Sequence, residues 1–176
     1  DFEEMSVADR CLLGFNAGPP MVSGTYNNNL QIVQTPGYVV IMTEMVHEAR
    51  IIPTDGRAHG TVPRWTGDSR GHWEGDTLVV DVTDLNDETW FDRAGNFHSD
   101  ALHVIERYTL IDPDHLSYEA TFDDPKMYAK AWTVSIPSCA SRGITCSILP
   151  SPSVVLLLMI PRTFSTQSVF FSGLLS

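Results

Sequence analysis

Apolar and polar residues alternate with a period of two along most of the chain between residues 30 and 136, which is the pattern of β-strands. Turn-forming residues such as Pro36, Gly37 and Gly75 interrupt the alternation. The unusual length of one alternating run, residues 38–52, indicates a bend or bulge inside that strand. The pattern predicts strands over residues 30–34, 38–52, 64–73, 77–83, 102–111, 116–123 and 131–136.

The residues ahead of the first strand have a different pattern. Ser6 is followed three positions later by Asp9, as at the start of many helices, which predicts a short N-terminal helix over residues 7–13 that ends at Gly14. The whole pattern therefore predicts a mainly β protein. We expect an antiparallel β-barrel of the lipocalin or calycin kind, because closure removes exposed strand edges, and a β-sandwich is the alternative.

The register of one hairpin can be predicted from the sequence. Leu102, Val104, Glu106, Tyr108 and Leu110 share one face of a strand, and the apolar face of the next strand contains Leu116, Tyr118, Ala120 and Phe122. Matching faces must meet across the ladder, because a slip of one residue inverts every side chain. This predicts that Leu110 pairs with Leu116, that Glu106 lies opposite Ala120 on the apolar face, and that His103 and Arg107 lie opposite Asp123 and Glu119 on the other face.

The distribution of charge divides the chain near residue 137. All acidic residues lie in residues 1–124, whereas residues 138–176 contain only Arg142 and Arg162 as charged groups. We therefore predict one β domain over residues 1–137 and an atypical apolar tail over residues 138–176. The apolar run 154–160 is too short for a membrane span, which needs about 20 residues. An exposed tail of this kind could dock against a second copy and form a homodimer.

Net charge argues against some classes of partner. The formal charge is −11 with a pI of about 4.7, and binding to nucleic acid depends on clustered Lys and Arg. We therefore expect a small-molecule ligand and no nucleic acid. No metal or other cofactor is predicted, because the histidines are scattered, no CxxC is present, and His47-Glu48 is not followed by a second histidine at HExxH spacing.

Glu106 is the first candidate for catalysis, because a carboxylate on an apolar strand face must be paired, be protonated or face a cavity. Burial would raise its pKa, as a general acid requires. His47 or His103 could complement it. Glu44 could act as a second carboxylate, at the separation of about 5 to 9 Å that glycosidases use. The structural alternative is that Glu106 is buried and paired with Arg50 or Arg70.

The candidate ligand-binding residues combine charged and aromatic side chains. Asp68, Arg70 and His72 alternate on one strand face, which is typical of a solvated face but would also suit the polar lining of a barrel. Arg50 or Arg70 could orient a ligand. Aromatic residues could line the mouth of a ligand site or belong to the core, and the full set of candidates is Arg50, Asp68, Arg70, His72, Tyr108, Tyr118, Trp65 and Trp73, with Tyr26, Trp90 and Phe91 as further aromatics.

Several blocks of the sequence carry a resemblance to known proteins. They are Tyr26-Asn27-Asn28-Asn29, Gln34 to Tyr38, Glu44 to Pro53 and Gly67 to Val80, which reads GDSRGHWEGDTLVV. The chain resembles, over residues 10–137, a family of small exported bacterial proteins with no established activity. The resemblance implies export, to the periplasm or outside the cell, and is consistent with a β-rich fold. The resemblance implies a polar, Cys-containing segment after residue 137, and residues 138–176 depart from it. A frame change, a read-through, a cloning junction or a divergent C-terminus would each explain this departure.

These observations predict an exported β-barrel protein that encloses a small organic ligand. Acid–base chemistry without a cofactor, of the lyase, isomerase or hydrolase kind, would use Glu106 for proton transfer. A binding protein without catalysis is the alternative, and glycoside hydrolysis by paired carboxylates is another. The environment of Glu106 distinguishes them, because a tight pair with an arginine favours a structural or binding role.

Overall fold

The computed structural model of the chain describes residues 5, 7–14, 17–22, 29–91, 96–112, 115–139 and 154–158, with backbone alone for 137–139 and 154–158. Its described part is mainly β, as the sequence predicts. Besides one 3-10 turn, Met45–His47, the elements are β1 (Leu30–Thr35), β2 (Tyr38–Thr43), β3 (Ala49–Pro53), β4 (Asp68–Glu74), β5 (Thr77–Thr83), β6 (His103–Asp112), β7 (His115–Asp123), β8 (Trp132–Cys139) and β9 (Val154–Leu158).

The strands form two antiparallel sheets. The four-stranded sheet has the order β3-β2-β1-β9, and the five-stranded sheet has the order β4-β5-β6-β7-β8. Neighbouring strands in the five-stranded sheet are consecutive in the chain, so it is a meander built from hairpins. The turn between β4 and β5 consists of Gly75 and Asp76, where Gly75 has a φ of +59°. Glycine adopts this left-handed conformation without the steric cost that a side chain brings.

The predicted register of the hairpin β6–β7 is confirmed. Leu110 pairs with Leu116, Glu106 with Ala120, Arg107 with Glu119 and His103 with Asp123, and a bulge follows between Leu110 and Asp112. The alternation fixes this register because one face is buried: Val104, Glu106 and Tyr108 are buried on β6, while Ala120 and Phe122 are buried on β7.

The predicted single strand over residues 38–52 is wrong. The chain reverses at residues 44–48, so that β2 and β3 are antiparallel partners with Val40 opposite Ile51. Thr43 closes the turn by donating its N–H to the carbonyl of Glu48 at 2.9 Å, and Val46 and His47 have positive φ angles. Apolar alternation continues through this turn without the Gly, Pro or Asn that would mark it, and for this reason the pattern predicts one strand.

The structure corrects two further predictions, which concern the N-terminal helix and the start of the strand predicted from residue 64. Residues 7–11 form hydrogen-bonded turns in place of the predicted helix: the carbonyl of Val7 accepts from Leu12 and Leu13, and Cys11 has a φ of +56°. A helix this short has little intrinsic stability in water. The strand predicted from residue 64 begins at Asp68, because Arg64 turns away to form an isolated bridge with Leu85.

The core lies between the two sheets. Ile32, Val39, Ile41 and Ile52 from the four-stranded sheet are buried in one cluster with Leu78, Val80, Val82, Val104, Tyr108, Leu116, Tyr118, Ala120, Phe122, Val134 and Ile136 from the five-stranded sheet. The sheets approach closely where β3 passes β4. A Cβ added at Gly71 would lie 2.9 Å from Ile52 Cγ2 and 3.1 Å from Thr54 Cγ2, so the glycine makes room for β3.

Part of the predicted tail belongs to the four-stranded sheet. The strand β9 pairs with the free edge of β1, with Val155 opposite Val33. In the five-stranded sheet, β8 continues past the predicted boundary at residue 137 to Cys139. The predicted docking against a second copy concerns the apolar residues 154–171 of the tail, of which 159–171 lie outside the described residues. Within the described ranges, no helix has the length and apolar character needed to cross a membrane.

Candidate functional site

The sequence-predicted site residues that belong to the five-stranded sheet are divided between its two faces. Glu106 and Tyr108 on β6 point into the core, together with Tyr118 on β7. His103 is an odd number of positions from Glu106 on the same strand, so it points to the outer face. Asp68, Arg70 and His72 on β4 share that outer face, where Arg70 lies opposite Asp81 of β5. His103 and Glu106 therefore do not belong to one site.

The inner group is a buried carboxylate cluster of Arg50, Ser69, Glu106, Tyr108 and Tyr118. Arg50 donates from Nη1 to Glu106 Oε1 at 3.1 Å and from Nη2 to Oε2 at 2.5 Å. The hydroxyls of Tyr118 and Tyr108 donate to Oε1 at 2.8 and 3.0 Å, and Ser69 Oγ accepts from Arg50 Nη2 at 3.1 Å. Because Arg50 is on β3, the cluster joins the two sheets through polar contacts inside the core.

Burial dominates the electrostatics of this cluster. The Glu106 and Arg50 side chains are 0% and 2% exposed. Burial by itself would lower the pKa of Arg50, but the Glu106 carboxylate beside it reverses the effect and holds the pKa above its ordinary value. The pKa values of Tyr108 and Tyr118 are raised well above 10.0, first by burial and then by the negative charge of Glu106. Arg50 is thus held in its cationic form, and Tyr108 and Tyr118 are held in their neutral forms.

This geometry gives Glu106 little opportunity for proton transfer. Both of its oxygens accept hydrogen bonds from protein donors, and the residue is fully buried. A general acid or base needs a substrate or a water molecule within hydrogen-bond reach. A bidentate pair with an arginine instead corresponds to the structural or binding interpretation of Glu106.

The N-terminal segment is attached to the same cluster. The backbone N–H of Met21 donates to the Tyr118 hydroxyl at 3.1 Å, and the Tyr108 hydroxyl lies 3.1 Å from Met21 Sδ. Met21 itself is 7% exposed. The cluster therefore holds the N-terminal segment, residues 17–22, against β6 and β7 through Met21.

The remaining predicted catalytic residues, Glu44 and His47, lie in the exposed turn between β2 and β3. Glu44 Oε2 accepts a hydrogen bond from Asn29 Nδ2 at 2.7 Å. Arg50 follows this turn on β3 and is buried in the core, so it is not a neighbour of these exposed side chains. Since Glu44 is at the surface and Glu106 in the core, the two carboxylates do not face each other across a cavity.

The outer group is centred on Asp68, whose side chain is only 4% exposed. Asp68 accepts from the Gly60 N–H at 2.7 Å, and Arg70 donates to it from Nη1 at 2.8 Å and approaches it from Nη2 at 2.7 Å. Burial would raise the pKa of Asp68, but the Gly60 and Arg70 hydrogen bonds outweigh it and lower the pKa. The loop over residues 54–63 thus folds back onto the outer face of the sheet.

Two histidines approach this outer group. His59 Nδ1 lies 3.5 Å from Asp68 Oδ2, and its Nε2 lies 3.2 Å from Asp81 Oδ1. His103 Nε2 is 2.9 Å from the same Asp81 oxygen. Ligand atoms of His59, Asp68 and Asp84 all lie within 4.8 Å of one another, so these residues could hold a metal ion. We call His59, Asp68 and Asp84, with their neighbours Arg70, Asp81 and His103, the outer cluster.

His72 does not belong to the outer cluster. It is exposed and lies 3.2 Å from Glu74, which also pairs with Arg107. The predicted cross-strand group of His103, Arg107 and Glu119 has the right register, but the ion-pair partners found for His103 and Arg107 are Asp81 and Glu74. Side chains of neighbouring strands on the same face reach these positions as readily as the directly opposite residue does.

Aromatic residues from two loops, β3–β4 and β5–β6, meet in a small cleft. Trp65, Trp90 and Phe91 line it, and Trp90 is 65% exposed. The other lining residues are Val7, Leu13, Gly14, Gly18, Pro19, Pro20, Leu85 and Thr89. Of the other aromatics predicted at a ligand mouth, Trp73 packs against the core and Tyr26 lies outside the described residues. We call this feature the aromatic cleft.

Thr89 is the polar member of the aromatic cleft. Its hydroxyl lies 2.6 Å from His98 Nε2, and His98 Nδ1 lies 3.0 Å from the Ser99 carbonyl. A carbonyl can only accept, so Nδ1 carries the ring proton and, in the neutral imidazole, Nε2 accepts from Thr89. Asp124 holds Ser99 in turn, at 2.6 Å from its N–H and 2.8 Å from its hydroxyl. The orientation of the Thr89 hydroxyl is therefore fixed by a buried chain of hydrogen bonds.

Sequence reasoning missed His59, Asp84, Thr89 and His98. All four lie outside the regular strands, where no periodicity indicates which way a side chain points. The only signal for His59 is the Gly-containing polar loop that precedes β4, and it does not reveal that this loop folds back onto the sheet.

Comparison with protein families, with curated proteins and with solved structures finds no match to this chain.

Proposed function

We propose that this protein binds a small organic molecule in the aromatic cleft and does not transform it. The observation that carries the proposal is the meeting of Trp65 from one loop with Trp90 and Phe91 from a second loop, around one fixed polar group, Thr89. Small-molecule sites combine apolar walls with a few positioned polar groups in this manner. Loops supported by a rigid scaffold are also where binding residues concentrate.

The chemistry of the aromatic cleft narrows the ligand class. Thr89 donates a hydrogen bond to the neutral imidazole of His98, so its oxygen can still accept a hydrogen bond from a ligand. The cleft therefore selects a ligand with an N–H or O–H group. The tryptophan and phenylalanine rings favour a flat aromatic or cyclic apolar body. The net charge of −11 disfavours anions at low salt. A neutral or cationic aromatic molecule with one hydrogen-bond donor meets these conditions.

We prefer binding to acid–base catalysis because Glu106 is fully buried and both of its oxygens accept hydrogen bonds from Arg50, so no substrate reaches it. We also infer a β-sandwich in place of a closed barrel, since the two sheets end in separate edge strands. The ligand would then lie at the end of the sandwich instead of inside a barrel. Export to the periplasm or beyond remains part of the proposal and depends on the family resemblance.

N-phenyl-1-naphthylamine tests the proposal, because this neutral fluorescent probe has two aromatic systems and one N–H donor. We expect saturable fluorescence enhancement with the wild-type protein. Trp90→Ala should weaken binding at least tenfold, and Thr89→Val should weaken it by about three- to tenfold, as the loss of one hydrogen bond implies. Ile51→Ala is the matched control. Ile51 is nearly as exposed as Trp90, at 62%, but it belongs to the four-stranded sheet and does not line the aromatic cleft.

Three results would contradict the proposal. The wild-type protein could fail to bind the probe in a saturable way. Trp90→Ala could bind as tightly as wild type. Ile51→Ala could lose as much affinity as Trp90→Ala, which would mean that the probe adsorbs to exposed apolar surface in general. Far-UV circular dichroism of each variant separates these results from loss of folding.

A further inference from the structure

We propose that His59, Asp68 and Asp84 bind one divalent transition-metal ion, such as Zn²⁺, on the outer face of the five-stranded sheet. This site is separate from the aromatic cleft and its existence does not depend on the function proposed above. One imidazole nitrogen and two carboxylate oxygens would be the protein ligands, within 4.8 Å of one another before any ion draws them together.

The three residues come together through the topology of β4 and β5. Asp68 is the first residue of β4 and pairs with Thr83 at the end of β5, so the next residue, Asp84, lies beside it. His59 reaches the pair from the loop that precedes β4, and this loop is held in place by the hydrogen bond from the Gly60 N–H to Asp68 at 2.7 Å. Backbone contacts, and not the ligand side chains alone, therefore position the site.

His59 has the orientation of a metal-binding histidine. Its Nε2 is 3.2 Å from the Asp81 carboxylate, which favours the tautomer with the proton on Nε2. Its Nδ1 is buried and makes no hydrogen bond, although it faces Asp68 at 3.5 Å. A lone pair directed at carboxylates is unfavourable unless a cation lies between them. Metal-binding histidines commonly have this second carboxylate on their other nitrogen.

Asp68 is also positioned as a ligand would be. Its Oδ2 accepts from the Gly60 N–H and contacts Arg70 Nη2 at 2.7 Å, while Oδ1 accepts from Arg70 Nη1 at 2.8 Å. A carboxylate offers about four lone-pair positions, so one on Oδ1 remains available. Arg64 Nη1, at 3.6 Å from Oδ1, is too distant for a hydrogen bond and is 61% exposed, so it can move aside for an ion.

The donor set indicates the kind of ion. Imidazole suits zinc and other first-row transition metals, whereas Ca²⁺ and Mg²⁺ prefer sites made of oxygen alone. Metal–ligand bonds of about 2.1 Å require the three atoms to move closer by about 1 Å, which side-chain rotation can supply. Three protein ligands also leave a coordination position for water.

The alternative explanation is that His59 is protonated and forms an ion pair with Asp68 and Asp81 without any metal. Both explanations place the same atoms together, so only a binding measurement separates them. Isothermal titration of the untagged, chelator-treated protein with ZnCl₂ is that measurement. We expect one saturable site that CaCl₂ at the same concentration does not occupy.

Variants assign the binding to the proposed residues. His59→Ala and the nearly isosteric Asp84→Asn should each weaken Zn²⁺ binding by about 100-fold or more, and Asp81→Asn should weaken it about 10–100-fold through the orientation of His59. His72→Ala is the matched control, because this exposed histidine lies on the same sheet face next to Glu74. It should bind Zn²⁺ as the wild-type protein does.

The proposal is overturned if the wild-type protein shows no saturable Zn²⁺ site, or if both His59→Ala and Asp84→Asn bind as wild type. Equal loss in His72→Ala would show that Zn²⁺ binds scattered surface histidines. A repeat with MnCl₂, which has little affinity for thiols, tests whether cysteine supplies the binding instead, since the chain has three cysteines and Cys11 is exposed and free. If Mn²⁺ affinity also falls in His59→Ala, the site is the one proposed.

Discussion

Among single residues, Glu106 has a large consequence for the fold, because Arg50 is the buried cation that matches its charge within the described part of the chain. Replacing Glu106 with Gln keeps the size of the side chain but leaves the Arg50 charge buried without a counter-charge. We expect Glu106→Gln to lower the free energy of unfolding by about 3–5 kcal/mol. Urea denaturation followed by circular dichroism measures this change.

A second variant identifies the cause of that loss. In Arg50→Met combined with Glu106→Gln, no uncompensated charge remains, and the glutamine can still accept from Tyr108 and Tyr118. The double variant should therefore be more stable than Glu106→Gln alone. Equal or lower stability of the double variant would mean that the loss comes from hydrogen bonding or packing and not from the buried charge.

The sequence predicts some of these residue environments and not others. Strand alternation places Glu106 on a buried face, and the cost of burying an unpaired charge predicts an arginine partner, either Arg50 or Arg70. No such rule applies to His59 or Thr89, since loop residues have no periodicity and their neighbours depend on how the loop folds. The choice between Arg50 and Arg70 also requires the arrangement of the two sheets, because Arg70 belongs to the outer face.

At the scale of elements, the contact between β3 and β4 depends on Gly71. An alanine Cβ at this position would lie 2.9 Å from Ile52 Cγ2, closer than real Cβ contacts allow. We expect Gly71→Ala to destabilise the protein by about 1–3 kcal/mol, because a packed core accommodates added atoms only by strain. The midpoint of urea unfolding measures the effect.

Gly60→Ala is the matched control for this substitution. Its Cβ would meet only Asp68 Oδ2, at 3.6 Å, which is ordinary contact. We expect its unfolding midpoint to stay close to that of wild type. If Gly71→Ala and Gly60→Ala had the same midpoint, the close approach of β3 to β4 would not limit the packing of the sheets.

Elements differ in how well the sequence predicts them. The β6–β7 hairpin has a strict alternation on both strands and only one register that matches the buried faces, so its pairing is predicted residue by residue. In the β2–β3 hairpin, apolar and polar residues continue to alternate through the turn. Without Gly, Pro or Asn at residues 44–48, nothing in the pattern separates a reversal from a long strand.

At the scale of the whole molecule, polar contacts connect parts that are distant in the chain. The buried carboxylate cluster joins β3, β4, β6, β7 and the N-terminal segment through Met21. Alternation along single strands predicts that there are buried and exposed faces, but not which faces meet. The sequence therefore predicts an antiparallel β protein, while the two-sheet arrangement and the division of site residues between its faces come from tertiary packing.

The same cluster sets how the stability of the whole molecule depends on alkaline pH. Burial and the Glu106 charge raise the pKa values of Tyr108 and Tyr118 well above 10.0 in the folded protein. In the unfolded chain both hydroxyls ionise near pH 10, so raising the pH further favours unfolding. The stability contributed by each tyrosine is complete below pH 10 and falls above it by about 1.4 kcal/mol per pH unit.

Tyr118→Phe tests this dependence, because phenylalanine keeps the ring in the core and removes the ionising group. Between pH 10 and 11.5, the unfolding free energy of the variant should fall less steeply than that of wild type, by about 1.4 kcal/mol per pH unit. Below pH 9 the two slopes should agree, although the variant is less stable because it lacks the hydrogen bond to Glu106. Parallel curves across the whole range would mean that Tyr118 ionises equally readily in the folded and unfolded states, and the cluster would then not control the alkaline limit of the fold.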